Sequence, residues 1–196
     1  MPAHSKVDQS LWFQQTVDRL LTESASRVRP EVILEPIPAP RRLAPYSFAL
    51  SAQVMSGEEE IASGRWVLLH DPAGQEAWQG TFRIVTFTRA TVEPDIGNDP
   101  LLSEVGWAWL REALTARNAA FTALNGTVTR TCSESFGDLT NSPPTTEVEI
   151  RASWTPTAEK FEMHVESWCE LLCASAGLPP ATSTAIAMPR RSAPAS

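Results

Sequence analysis

The sequence predicts an α+β fold, a single antiparallel sheet of five to six strands with three helices packed on it, and three observations carry that reading. Between residues 145 and 180 the apolar period changes from two to about three and a half. Val148, Ile150, Ala152 and Trp154 alternate with Glu147, Glu149, Arg151 and Ser153, and Phe161, Val165, Trp168, Cys169 and Leu172 then share one side of a helix. The earlier extended runs are joined by turn-like segments, which favours antiparallel pairing. The resulting order is helix, three or four strands, helix, two strands, helix, with no internal repeat of the solenoid kind.

Residues 8–28 read as the first helix, with Phe13, Val17, Leu20, Leu21 and Val28 on one side and Gln14, Gln15, Asp18 and Arg19 on the other. Pro30 stops it. Residues 31–45 open with Val32, Ile33 and Leu34 and continue through Pro36, Pro38 and Pro40, whose missing N–H groups exclude helix and central strand and leave an edge strand or an extended arm. Tyr46, Phe48, Leu50, Ala52 and Val54 alternate as a strand, and residues 56–60 supply a polar turn. A second strand covers 65–70, and Asp71-Pro72-Ala73-Gly74 is the turn after it. In the next strand, 81–92, Phe82 and Ile84 point one way and Val85 and Phe87 the other, which marks it as central.

Asp99 caps a second helix with Pro100 at its first position, and Leu102, Val105, Trp109, Leu110 and Leu114 form its stripe. After the turn Asn125-Gly126, residues 127–135 extend with Thr127, Thr129, Thr131 and Ser133 as a hydroxyl row opposite Val128, Arg130 and Cys132. Thr155 and Pro156 suit the start of the last helix, and Gly177, Pro179 and Pro180 its end. Residues 1–5 read as a flexible N-terminus, 6–178 as a single domain, and 179–196 as a disordered tail of Pro, Ala, Ser and Thr.

Composition narrows the function. With 42% hydrophobic residues, 196 residues bury one sizeable core. A net charge of −7 opposes binding to duplex nucleic acid. No apolar run reaches the length of a membrane span and residues 1–9 lack a signal core, so a cytoplasmic protein is expected, with no membrane partner. Three cysteines, two of them four apart on a helix that would bury them, argue against a disulfide framework.

No polar constellation has the spacing of a known reaction centre. Cys169, Cys173 and His164 do not converge on one point of a helix and lack a fourth ligand, so neither metal nor cofactor is expected. Cys132 has no base placed beside it by the sequence, and Ser133 and Ser135 lack a nucleophile elbow. Glu58, Glu59 and Glu60 at a hairpin tip read as a solvated turn. Arg41 and Arg42, held in a stiff proline-flanked arm, are suited to grip a carboxylate or phosphate. The polar face made by the hydroxyl row with Glu147, Glu149 and Arg151 is either solvated or a docking surface. Trp109, Trp154 and Trp168 are accounted for by core patterns, which leaves Trp12, Trp66, Trp78 and Trp107 for a rim or groove.

The segments Glu35-Pro36-Ile37-Pro38-Ala39-Pro40-Arg41-Arg42-Leu43-Ala44-Pro45-Tyr46 and 63–78, with Gly126-Thr127-Val128-Thr129-Arg130-Thr131 and Trp154-Thr155-Pro156, are similar to an actinobacterial family catalogued as domain of unknown function three thousand. The likeness runs from the first helix through Pro180. It implies no assigned activity, so no functional residue is carried over. The element order separately resembles the type III secretion chaperone-like fold, which implies a module that binds other proteins.

These readings together predict a non-catalytic protein-binding module, an adaptor or chaperone-like protein, with an unidentified protein partner and homodimerisation as an open state. The expected binding residues are Arg41, Arg42, Tyr46, Trp66, His70, Glu76, Trp78 and Arg130, and no catalytic residue is assigned. The alternative is a small-molecule-binding protein or enzyme that takes an anionic ligand through Arg41, Arg42, His70 and Glu76. A third reading is single-stranded RNA binding through Arg41, Arg42 and Arg130.

Overall fold

Six strands form one antiparallel sheet in the order β1-β2-β3-β4-β6-β5, and every helix of three or more turns packs on the same face of it. The computed structural model describes residues 6–137 and 143–180. The expected flexible N-terminus lies outside the described residues, as does the expected tail beyond residue 180. Within them run α1 (Lys6–Ala25), β1 (Val32–Ile37), β2 (Tyr46–Ser56), β3 (Glu59–Gln75), β4 (Gly80–Val92), α2 (Pro94–Gly97), α3 (Leu102–Ala116), β5 (Phe121–Ser133), β6 (Thr145–Pro156) and α4 (Phe161–Ser175).

Period-two alternation decides which side chains meet the helices. Leu50, Trp66, Thr86 and Ala152 lie level across β2, β3, β4 and β6, and Leu68, Ile84 and Trp154 form the next row. All seven are buried, and α4 lies across the rows with Trp168 and Leu172 fully enclosed. Alpha-helix α4 was expected to be amphipathic but is buried nearly all round, Glu162, Glu166 and Ser167 included, because α1 and α3 flank it on the sheet. It ends where Gly177 takes a positive φ of 75° and the Leu178 N–H reaches back to the Cys173 carbonyl at 2.9 Å.

Two expected turns lie inside strands. Asp71-Pro72-Ala73-Gly74 is an irregularity of β3, where the Asp71 carboxylate accepts from the Ala73 N–H and the Gln75 side chain, and the chain reverses only at residues 76–79. Asn125-Gly126 is part of β5, and the break in register falls just before it, with Ala123 at φ 50°. A side chain at Gly126 would meet the Arg151 carbonyl oxygen at 2.2 Å, so glycine here serves close backbone approach. Thr155 and Pro156, expected to start the last helix, instead end β6 opposite Thr122 and Phe121. Helix α3 begins at Leu102, two residues beyond the expected Pro100, and the Asp99 side chain accepts the Leu101 N–H in the turn that leads into it. Its buried stripe runs Leu102, Gly106, Leu110, Leu114, while Val105 is exposed.

Candidate functional site

Of the residues expected to share an anion pocket, Arg41, Arg42 and Glu76 are exposed, whereas His70 is buried beneath the surface. His70 and Tyr46 are level across β3 and β2. The His70 ring stacks on Phe82 with centroids 4.3 Å apart and is further enclosed by Trp12, Phe13 and Tyr46. Its Nδ1–H donates to the Thr81 carbonyl at 3.1 Å, the neutral-ring arrangement that burial favours by lowering the pKa below 6.5. The group is therefore a core imidazole. Arg42 adopts a left-handed φ of 70°.

Two expected binding residues are engaged within the fold. Trp66 is wholly buried rather than at a rim, because apolar residues on both sides of β3 hid from the sequence which side faces the helices. Arg130 donates to the carbonyls of Gly97 at 3.3 Å and Asp99 at 3.1 Å and so fastens the α2–α3 connection to β5. Trp78 is half-buried at the β3–β4 reversal, where its carbonyl accepts the Thr155 hydroxyl.

The sulfur and imidazole groups are placed for packing. Cys169 and Cys173 are buried free thiols, and desolvation raises both, Cys173 to about 11, which suppresses the nucleophilic thiolate. His164 is pushed down to about 4 by burial, and its Nδ1 accepts the Trp154 indole N–H at 3.0 Å. Cys132 is exposed and accepts from Thr146. Among the described residues no cluster of His, Cys, Asp and Glu could hold a metal ion.

What remains is the face of the sheet that carries no helix. A shallow groove of about 440 Å³ runs across β3, β4, β6 and β5 with Val67, Val85 and Phe87 as its apolar floor. Val85 is 38% exposed. Arg65 and Arg151 stand on the lining, and the Arg151 guanidinium lies over the Phe87 ring at 5.4 Å. Arg151 also pairs with Glu149 at 2.7 Å, whereas Arg65 has no ion-pair or hydrogen-bond partner among the described residues.

A third guanidinium lies beneath one end of this groove. Arg83 is bonded to Thr155 and lies two residues from Val85 on the same face, yet it is only 6% exposed. It donates to the Ala123 carbonyl at 2.9 Å, to Thr155 Oγ1 at 3.2 Å and to Ser153 Oγ at 2.7 Å. Ser153 in turn donates to Asn125 Oδ1 at 3.1 Å, and both of these residues line the groove. All of the partners of Arg83 are neutral. The positive φ at Ala123 turns that carbonyl toward the guanidinium, which gives the break in β5 a physical purpose.

A larger concavity of about 790 Å³ separates the C-terminal ends of α3 and α4. Its cations are already engaged: Arg117 with Glu166 and Glu170, Arg29 with Glu31 and the Pro179 carbonyl. Arg83 is not among the residues expected from the sequence, although an arginine two residues from Val85 and four from Phe87 on one strand face is a visible signal.

Residues 9–185 match the model of the family described as Protein of unknown function (DUF3000), and the chain belongs to that family. No curated protein and no solved structure matches it.

Proposed function

We propose that this member of the family is a non-catalytic protein-binding module of the cytoplasm, adaptor-like or chaperone-like, that docks its partner on the helix-free face of the sheet. The observation that supports this reading is the groove itself, where a half-exposed apolar floor is rimmed by guanidinium groups with fewer counter-charges than cations. Buried interface centres are apolar and favour arginine and aromatic residues, which is the chemistry gathered here. Burial also deprives Cys169, Cys173, His70 and His164 of the access that nucleophilic or acid–base work requires.

The test is a photo-crosslinking amino acid placed at position 85 in living cells, with position 19 on the exposed side of α1 as the control. Position 85 should give a discrete protein adduct that position 19 does not. Adducts of equal yield from both positions, or none from position 85, overturn the reading.

A further inference from the structure

The charge on the groove allows its partner to be described more closely, on the premise that the helix-free face is the docking surface. Arg65 and Arg151 line it and Arg83 lies beneath its end, while Glu149 is the one carboxylate that pairs with any of the three. This local excess of positive charge occurs in a chain whose net charge is −7. An enclosed guanidinium with neutral partners keeps its hydrogen bonds, yet nothing offsets its charge, and withdrawing a charge from water is costly. Arg83 holds Ser153 at 2.7 Å, so its field emerges at the groove floor between Ser153 and Val85.

We infer that the groove receives an acidic, extended polypeptide segment that places an apolar side chain on Val67 and Val85, beside the covered Phe87 ring, and its carboxylates against Arg65, Arg151 and the surface above Arg83. Polypeptide is favoured over nucleic acid for two reasons. The exposed aromatic face on the groove, Phe87, is already covered by Arg151, which leaves no ring on which a base could stack. The overall negative charge also opposes a phosphate backbone, whereas a short acidic segment needs only the local excess.

The experiment selects a random dodecapeptide display library on the full chain and removes every peptide that also binds the Arg65→Glu/Arg151→Glu double variant. Both substitutions are on the surface, and a matching urea midpoint confirms that the variant is folded. Groove-dependent peptides should be enriched in Asp and Glu over the starting library. The affinity of a selected peptide should fall about tenfold or more in the double variant and decline with added salt. Groove-dependent peptides without acidic enrichment, or no such peptides, overturn the inference. So does a single-stranded RNA dodecamer that displaces the peptides and binds more tightly than they do. Adducts at position 85 without acidic enrichment remove the charge assignment and leave the docking face; failure of both experiments removes both.

Discussion

One face of this sheet is dry and the other is wet, although the same strands make both. Beneath the helices, Trp66, Trp154, Trp168, Ile84 and Ile150 are wholly buried, and His164 among them is held neutral and accepts the Trp154 indole N–H, while the indole N–H groups of Trp66 and Trp168 are enclosed without a partner. On the opposite face the central positions are Arg65, Val85, Phe87 and Arg151, and the paired edge carries Thr127 and Thr129 opposite Arg151 and Glu149. Antiparallel sheets tolerate such a division because successive side chains alternate. The difference separates a face that supplies stability from a face that the helices leave uncovered.

That division can be broken first from the dry side. Trp168→Ala should cost about 3–5 kcal/mol in urea unfolding, since it leaves a large void against Gly64 and the strands beneath α4. A loss below about 1 kcal/mol would mean that the core is not organised around this ring. Acid probes the same side. His164 is held near pKa 4 when folded, against 6.5 ordinarily, so the unfolded chain takes up its proton first as pH falls. Stability present above pH 6.5 should therefore drop, by on the order of 3 kcal/mol, on descent toward pH 4. Desolvated His70 acts in the same direction. His164→Gln, which can still accept from Trp154, should flatten that loss when urea midpoints are compared across the window; an unchanged slope would refute the assignment.

The clamp at the helix ends is weaker. The Glu166 carboxylate, 5% exposed, is shared by Arg27 at 3.3 Å and Arg117 at 3.0 Å, which join α4 to the segment after α1 and to the end of α3. Glu166→Gln should lower stability by about 1–2 kcal/mol, discounted because both arginines are partly in water, and raising salt should narrow the gap to wild type. On the wet side the effect on folding should nearly vanish. Arg65→Glu and Val85→Arg should each shift the urea midpoint by less than about 0.5 kcal/mol. A large shift from either would show that the helix-free face also carries the fold.

The strands were legible where alternation was clean. In β6 the side that meets the helices is apolar from Val148 to Trp154, and Val148, Ile150 and Trp154 lie where that pattern puts them, as do Phe82 and Ile84 of β4. Legibility failed where both sides of a strand were apolar, as at Trp66, Val67, Leu68 and Leu69, and where turn-forming residues served as irregularities within long strands. Asp71-Pro72 and Asn125-Gly126 have the composition of turns, but pairing with neighbouring strands overrides that local preference. The arms of the proposed anion pocket looked convergent because arginine and histidine are both ligand residues. Only the enclosure of His70 by four aromatic rings separates them. Arg83 escaped notice because a lone arginine in a strand ordinarily points to water, and its burial depends on a carbonyl 40 residues away in sequence.

Strand β6 sits between β4 and β5, and α4 lies at the centre of the helical layer, although both follow every other described element in the chain. During translation the ribosome therefore releases a meander of four strands whose inner edge lacks β6 and whose apolar surface, flanked by α1, lacks α4. Nascent chains stalled before residue 145 should expose that edge to other polypeptides and to proteases, and folding becomes cooperative only when the final hairpin and helix arrive.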